Sequence, residues 1–192
     1  MKDKKAELIK DDMSERIVDV AAKIAQDEGA DTVTVSRIIQ FLGVSNRVFY
    51  NRFRNINEVL RVIYKRIVHK MHESVIATMS SDRDFFEGVI DMVGKSLELS
   101  YDAKMKFNNF FYEVDSETDS NYIWWTSEIK KLIDYAKAEG YIKGVDSEVL
   151  SYSVWCFCRG YNSDAVSRGL PKEEAVKNFK YSFSFFLDGL RK

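Results

Sequence analysis

The chain has 192 residues, 45% hydrophobic and 31% charged, with a net charge of −1, a balance that excludes both a disordered chain and a disulfide-stapled miniature. No apolar run reaches the ~20 residues that cross a bilayer, and Lys2, Lys4 and Lys5 mix with Asp3, Glu7, Asp11 and Asp12 instead of leading into an apolar signal core. The sequence therefore reads as a soluble, cytoplasmic protein with no membrane partner. One proline, Pro171, and nine glycines leave little punctuation for anything but long helices.

Ile17, Val20, Ala21, Ile24 and Ala25 recur with helical spacing behind the capping candidate Ser14, and Gly29 stops the run, which predicts a helix over 14–28. Thr34 then caps a short helix that turns Ile38, Ile39 and Leu42 inward, and Gly43 supplies the left-handed residue that ends it. Ser45 caps again two residues later, so Thr34 to Phe53 reads as helix, tight turn, helix. Val44, Phe49 and Phe53 pack the second short helix, leaving Asn46, Arg47, Tyr50, Asn51 and Arg52 facing out. A long helix over 55–79 follows, with Val59, Val62, Ile63, Ile67 and Met71 as its apolar stripe. Five further helices are predicted at 83–99, 102–115, 120–139, 147–168 and 172–190, with Gly140, Gly144 and Gly169-Leu170-Pro171 as the clearest breaks. No segment alternates with the period of a strand. The expectation is an all-α chain of about nine helices: a three-helix helix-turn-helix domain at 10–56 and a second domain at 57–192, linked by helix 55–79. Cys156 and Cys158, two apart in a helix, point in different directions and cannot bridge each other, which fits a reducing compartment.

Charge is segregated along this plan. Residues 32–70 hold eight cations against Glu58 alone, a net of +7, so the rest of the chain carries −8. A local positive field attracts a polyanion, and nucleic acid leads the partners it favours. A helix fits the major groove of DNA, where Arg suits the acceptors of guanine and Asn the donor and acceptor pair of adenine. Asn46 and Arg47 open the second short helix and are the base-reading candidates. Ser45, Tyr50 and Arg52 carry groups suited to gripping phosphate, as do Thr34 and the amides that start the preceding helix. Ser45 and Thr34 have capping as a competing role.

The order Thr32-Val33-Thr34-Val35, Ile38, Gly43-Val44-Ser45, Phe49-Tyr50, Phe53, then Asn55, Glu58, Val59 and Leu60 resembles the tetracycline-repressor-like (TetR) family of transcription regulators over about residues 14–62. The resemblance implies an all-helical homodimer with an N-terminal DNA-binding domain and a divergent C-terminal domain for a small effector, most simply a repressor released from a palindromic operator. Two positions depart from the family pattern. Ile56 stands where a phosphate-binding lysine is usual, leaving Arg52 or Arg54 to substitute, and Ser36 stands at a base-reaching position with Arg37 as the nearest cation. The DNA-binding set is thus Thr34, Ser36, Arg37, Ser45, Asn46, Arg47, Tyr50, Asn51, Arg52 and Arg54.

Of the 26 aromatic residues, 21 lie in the last 122 positions. Leu150, Val154, Phe157 and Tyr161 form one helical stripe, and Phe179, Phe183, Phe186 and Leu190 another. The two pair as a hairpin across Pro171, and packing against a second copy would cover them, which makes them the expected dimer interface. Filling an intramolecular core is the alternative. Phe107, Asn108, Phe111, Tyr112, Trp124, Trp125 and Trp155 supply rings and amides suited to a small, largely apolar or aromatic ligand. Effector binding would shift the population between two separations of the reading helices, through Met71, Val75 or Met79 on the long helix. His69 and His72 with Glu73 offer the only histidine-centred metal pattern, read as a polar helix face. No Gly-rich phosphate loop, activated serine or cysteine cluster points to catalysis, so neither enzyme activity nor a cofactor is expected. A DNA-organising or division-linked protein with the same reader and no effector is the alternative function.

Overall fold

A computed structural model describes the backbone at residues 8–78, 84–117 and 119–192, and side chains at 8–75, 84–103 and 119–192. Among the described residues there are eight α-helices: α1 Asp12–Glu28, α2 Val35–Leu42, α3 Asn46–Tyr50, α4 Ile56–Thr78, α5 Phe85–Glu117, α6 Ser120–Ala138, α7 Ser147–Ser167 and α8 Lys172–Asp188. One 3₁₀ turn, Ala30–Thr32, precedes α2. The described residues fall into two compact units, one made of the chain up to Ile67 together with Met105–Val114, the other of Val68–Lys104 together with Asp115–Lys192. No described helix is long and apolar enough to cross a membrane.

The first unit is built on caps. α1 starts two residues before Ser14, because Asp11 is its cap: the Asp11 carboxylate accepts the Ser14 N–H at 3.0 Å and the Ser14 hydroxyl accepts the Asp11 N–H at 3.2 Å, a reciprocal box that satisfies two orphan donors. Thr34 caps α2, its hydroxyl accepting the Arg37 N–H at 3.3 Å. Gly43 ends that helix at φ +66°, with its own N–H on Gln40 and the Val44 N–H on Ile39, a left-handed stop that a Cβ would strain. α3 follows after two residues and is only five residues long, shorter than predicted, since Asn51 and Arg52 form a turn. Ile17, Ala21, Ile38, Phe49 and Val59 are fully buried and lock α1, α2, α3 and α4 around one small core.

The helices from α5 onward depart from expectation in two places. Residues 100–101 do not break the chain: α5 runs unbroken for 33 residues. The Ser100 hydroxyl donates back to the Leu97 carbonyl at 3.1 Å, while buried Tyr101 donates to the Leu170 carbonyl beyond α7. Tertiary packing thereby holds a turn whose local propensity is weak.

The second departure concerns the paired stripes. Phe86, Val89, Leu97, Ile133, Val154, Phe179, Phe183 and Leu187 form one buried cluster, with Leu150, Phe157, Tyr161, Phe186 and Leu190 packed against it. Phe179 and Phe183 are 1% and 2% exposed. Phe157 meets Phe179, Phe183 and Phe186 at centroid distances of 5.7, 6.0 and 6.2 Å. Residual space among these side chains is about 60 Å³. The hairpin across Pro171 forms, and of the eight residues expected at a dimer interface Val154, Phe179 and Phe183 are buried in the subunit's own core, while Leu150, Phe157, Tyr161, Phe186 and Leu190 pack against that core and stay partly exposed. The reason is geometric: α5 and α6 supply the rings' partners from within the chain. The opposite faces of the same helices carry Val149 and Tyr152 on α7 and Tyr181 and Phe185 on α8, each more than half exposed.

Candidate nucleic-acid interface

Buried Phe49 and Phe53 anchor α3 from below, and the Tyr50 ring rests edge-on against Phe49 at 5.4 Å. This fixes the outward residues. Ser45, Asn46, Arg47, Tyr50 and Asn51 are all exposed along α3 and its flanks. Ser45 occupies the cap position without a side-chain hydrogen bond to the helix, so capping does not use its hydroxyl. Thr34 does cap, and Ser36 is exposed one residue into α2.

The cations of the basic stretch separate into two groups. Arg37 pairs with Glu28 at 2.5 Å and donates to the Thr32 carbonyl at 3.2 Å. Arg54 pairs with Glu58 at 3.3 Å. Arg66 lies on Glu15 and, at 2.7 Å, on Asp19. Arg52 grips the Asp11 carboxylate through Nε at 2.8 Å and Nη2 at 2.5 Å, and donates to the Val48 carbonyl at 2.8 Å. Its side chain is 13% exposed, so Arg52 braces α3 against the start of α1 instead of facing outward. Acids of α1 and its cap thus neutralise much of the field that a count over 32–70 implies. Arg47 has no acidic partner among the described residues, and its exposure at the first turn of α3 makes it the strongest base-reading candidate.

The brace is pH-dependent. The Arg52 hydrogen bond first, with the Ser14 amide and the Arg52 charge, holds the Asp11 carboxyl far below the usual carboxylate range; Arg37 lowers Glu28 in the same way. A depressed carboxylate contributes stability that is complete above its unfolded pKa of ~3.9 and is lost as pH falls toward the folded value. Asp11→Asn keeps a capping oxygen but removes the charge. Its melting temperature is expected to fall below that of the unsubstituted protein at pH 7, with the gap narrowing below about pH 4. Circular-dichroism melts across pH check this; a gap independent of pH would contradict the pairing.

In the second unit, the described members of the expected ligand set, Trp124, Trp125 and Trp155, fall in two clusters. Trp124 stacks on His72 with centroids 3.5 Å apart and planes at 7°, and Trp125 meets His72 edge-on at 5.7 Å. Burial pushes His72 below its ordinary pKa. Its Nε2 lies 3.2 Å from the Asn121 side-chain oxygen Oδ1, within hydrogen-bond reach. Trp155 belongs to a second cluster, edge-on to Tyr122 at 6.0 Å with the Arg159 guanidinium 5.7 Å from its ring. Asp119, Tyr122, Tyr152, Trp155, Arg159 and Ser163 line an open cleft of about 570 Å³ there. The side chains of Phe107, Asn108, Phe111 and Tyr112, and the whole of Met79, lie outside the described residues. His72 escaped the sequence reading as a ring partner, because only its distance from Trp124 reveals the stack. The outer stripe of Val149, Tyr152 and Cys156 escaped because a richer stripe on the same helix hid it.

Residues 17–63 match the family model of bacterial regulatory proteins of the tetR family. Over nearly its whole length the chain is similar in structure to a TetR-family transcriptional regulator from Pectobacterium atrosepticum, with 14% identity, coverage of 93% of this chain and 94% of that one, and a TM-score of 0.80. A TetR/AcrR-family regulator from Thermobifida fusca aligns with 20% identity, 95% and 100% coverage and a TM-score of 0.69. A protein from Saccharomonospora viridis, solved in complex with choline, aligns with 16% identity, 94% and 98% coverage and a TM-score of 0.69. No curated protein matches the sequence. The N-terminal domain thus belongs to the TetR family of bacterial regulatory proteins, and the chain as a whole has the all-α fold of TetR-family transcriptional regulators.

Proposed function

We propose that this protein is a ligand-responsive transcription regulator: a homodimer that binds a palindromic operator in double-stranded DNA and is released by a small, largely apolar or aromatic effector. The observation that carries the reading is Arg47, exposed and without an acidic partner among the described residues, on a short helix whose own rings hold it rigidly outward. Asn46 beside it complements Arg for base contact. Ser45, Tyr50, Asn51 and Arg54 supply phosphate contacts that set register. Arg37 and Arg52 support the scaffold through Glu28 and Asp11.

Two reading helices must stand ~34–36 Å apart to enter successive major grooves, which requires a second copy. Val149, Tyr152, Tyr181 and Phe185, exposed on the outer faces of α7 and α8, are the apolar surface that pairing would bury. The choline bound by the Saccharomonospora viridis protein supports a small-molecule site in a fold of this kind. Aromatic clusters at Trp124 with His72 and at Trp155 with Tyr122 offer flat apolar walls for one. α4 is one continuous helix from Ile56 to Thr78, so a change at His72 is transmitted along its backbone toward Val59 and Leu60. The effector acts by favouring the conformer that does not fit DNA.

The test is a mobility-shift titration of the operator in the presence of a library of small aromatic and apolar compounds, with melting curves run in parallel. A true effector raises the melting temperature and lowers operator affinity together. Operator binding that no compound alters would contradict ligand release and favour a purely architectural DNA-binding role.

A further inference from the structure

The open cleft of about 570 Å³ between α6 and α7 has aromatic walls and two charged groups. Tyr122 reaches it from α6. Tyr152 and Trp155 reach it from α7, three residues apart and so on one side of that helix. The Tyr122 ring stands at 67° to Trp155 and at 82° to Tyr152, with centroids 6.0 and 6.3 Å away, so the three rings make a corner and not a stack. Past the rings the surface of α7 is open: a Cβ added to Gly160, which also lines the cleft, would meet no atom within 4 Å.

Charge decides among the molecules that three rings could accept. The Arg159 guanidinium stands 5.7 Å from the centroid of Trp155, within the ~6 Å at which a ring face attracts a cation. The protein's own side chain thus shows what that face attracts. The acid of the cleft, Asp119, is not spent in this way. It occupies the N-cap position of α6, yet its side chain makes no hydrogen bond to the helix. Among the described residues its carboxylate has no hydrogen-bond or ion-pair partner, although an aspartate at a cap ordinarily accepts from the helix amides. The cleft therefore presents an incoming molecule with an uncommitted negative charge beside rings that favour positive charge.

We propose that this cleft is the effector subsite and that the effector is an organic cation, its flat apolar body against Tyr122, Tyr152 and Trp155 and its ammonium group on the Asp119 carboxylate. The ligand competes with Arg159 for the face of Trp155. This rests on the effector reading above and adds the charge by which the effector is recognised. Tyr152 belongs both to the cleft and to the exposed patch assigned to pairing, so on that pairing an occupant adjoins the second copy.

1-Naphthylmethylammonium, 1-naphthalenemethanol and 1-naphthoate share one ring system and are respectively positive, neutral and negative at pH 7. Isothermal titration calorimetry on the unsubstituted protein is expected to show the ammonium binding about tenfold more tightly than the alcohol, the scale of one exposed ring–cation contact plus one exposed ion pair, with the naphthoate weakest. In Asp119→Asn, which keeps the shape and removes the charge, the ammonium and the alcohol are expected to bind within about threefold of each other. That variant should melt with the unsubstituted protein, because asparagine suits the cap position equally well. In Arg159→Gln the affinity for the ammonium holds or rises. Tightest binding of the naphthoate, or loss of ammonium binding in Arg159→Gln, would mark a site for anions and overturn the proposal. Equal binding of the ammonium and the alcohol to the unsubstituted protein overturns it without requiring any variant to fold. So does a preference for the ammonium that survives in Asp119→Asn, or the failure of all three probes to bind up to their solubility limits. Operator affinity is measured separately: a charge-selective site that leaves DNA binding unchanged would sustain the cation site and refute the effector reading.

Discussion

Replacing Tyr181 and Phe185 together by glutamate is expected to convert the protein to a monomer and to abolish operator binding. Both rings are more than half exposed on the outer face of α8, four residues apart and edge-on at 5.0 Å, so they form one continuous patch. In a two-fold interface each substitution acts twice. Four rings at ~1.5 kcal/mol or more apiece weaken association by about 10⁴-fold, before the repulsion of four new carboxylates is added. Size-exclusion chromatography with light scattering, at a concentration where the unsubstituted protein is dimeric, reads the outcome directly. Phe179→Ala, on the inner face of the same helix, provides the contrast. It opens a cavity in the subunit core and should cost ~3–5 kcal/mol of stability. A double glutamate variant that stays dimeric would show that the second copy sits elsewhere.

Arg47→Ala is expected to weaken operator binding by ~1–3 kcal/mol, between about five- and 150-fold, and to relax preference at the base it contacts. Tyr50→Phe removes a hydroxyl suited to phosphate and should weaken binding to all sequences by a smaller, uniform factor. Arg52→Ala should behave differently from both. It releases Asp11 and the Val48 carbonyl, so its effect is a lower melting temperature of the reader, with any loss of DNA affinity following from that. Mobility shifts against the operator and a single-base-substituted duplex, with melts in parallel, separate the three. Equal preference for both duplexes in Arg47→Ala and the unsubstituted protein would remove Arg47 from base readout.

Local chemistry made the reader legible from sequence. Thr34, Gly43 and the spacing of Phe49 and Phe53 are short-range signals, and each does in three dimensions what its residue type requires. What stayed hidden depends on partners distant in the chain. Arg52 and Asp11 are 41 residues apart, so a charge count confined to one stretch could not foresee that the arginine is neutralised. The helix break expected at Ser100 is absent because Tyr101 finds Leu170, 69 positions on. The ring-rich stripes of α7 and α8 were recognised as a pair, but periodicity cannot say whether an apolar face is covered by the same chain or by another. The cover here comes from Phe86, Val89 and Ile133.

On the proposed function, Arg47 and Asn46 on α3, presented twice by a dimer, read sequence in adjacent major grooves. Selection of bound duplexes from a random pool by the purified full-length protein tests it most directly. The expected result is an enriched inverted repeat with half-site centres one helical turn or a small multiple of it apart, a guanine within each half-site, and loss of that guanine preference in Arg47→Ala. Recovery of no common site, or of one without two-fold symmetry whose bases are unaffected by Arg47→Ala, would contradict it.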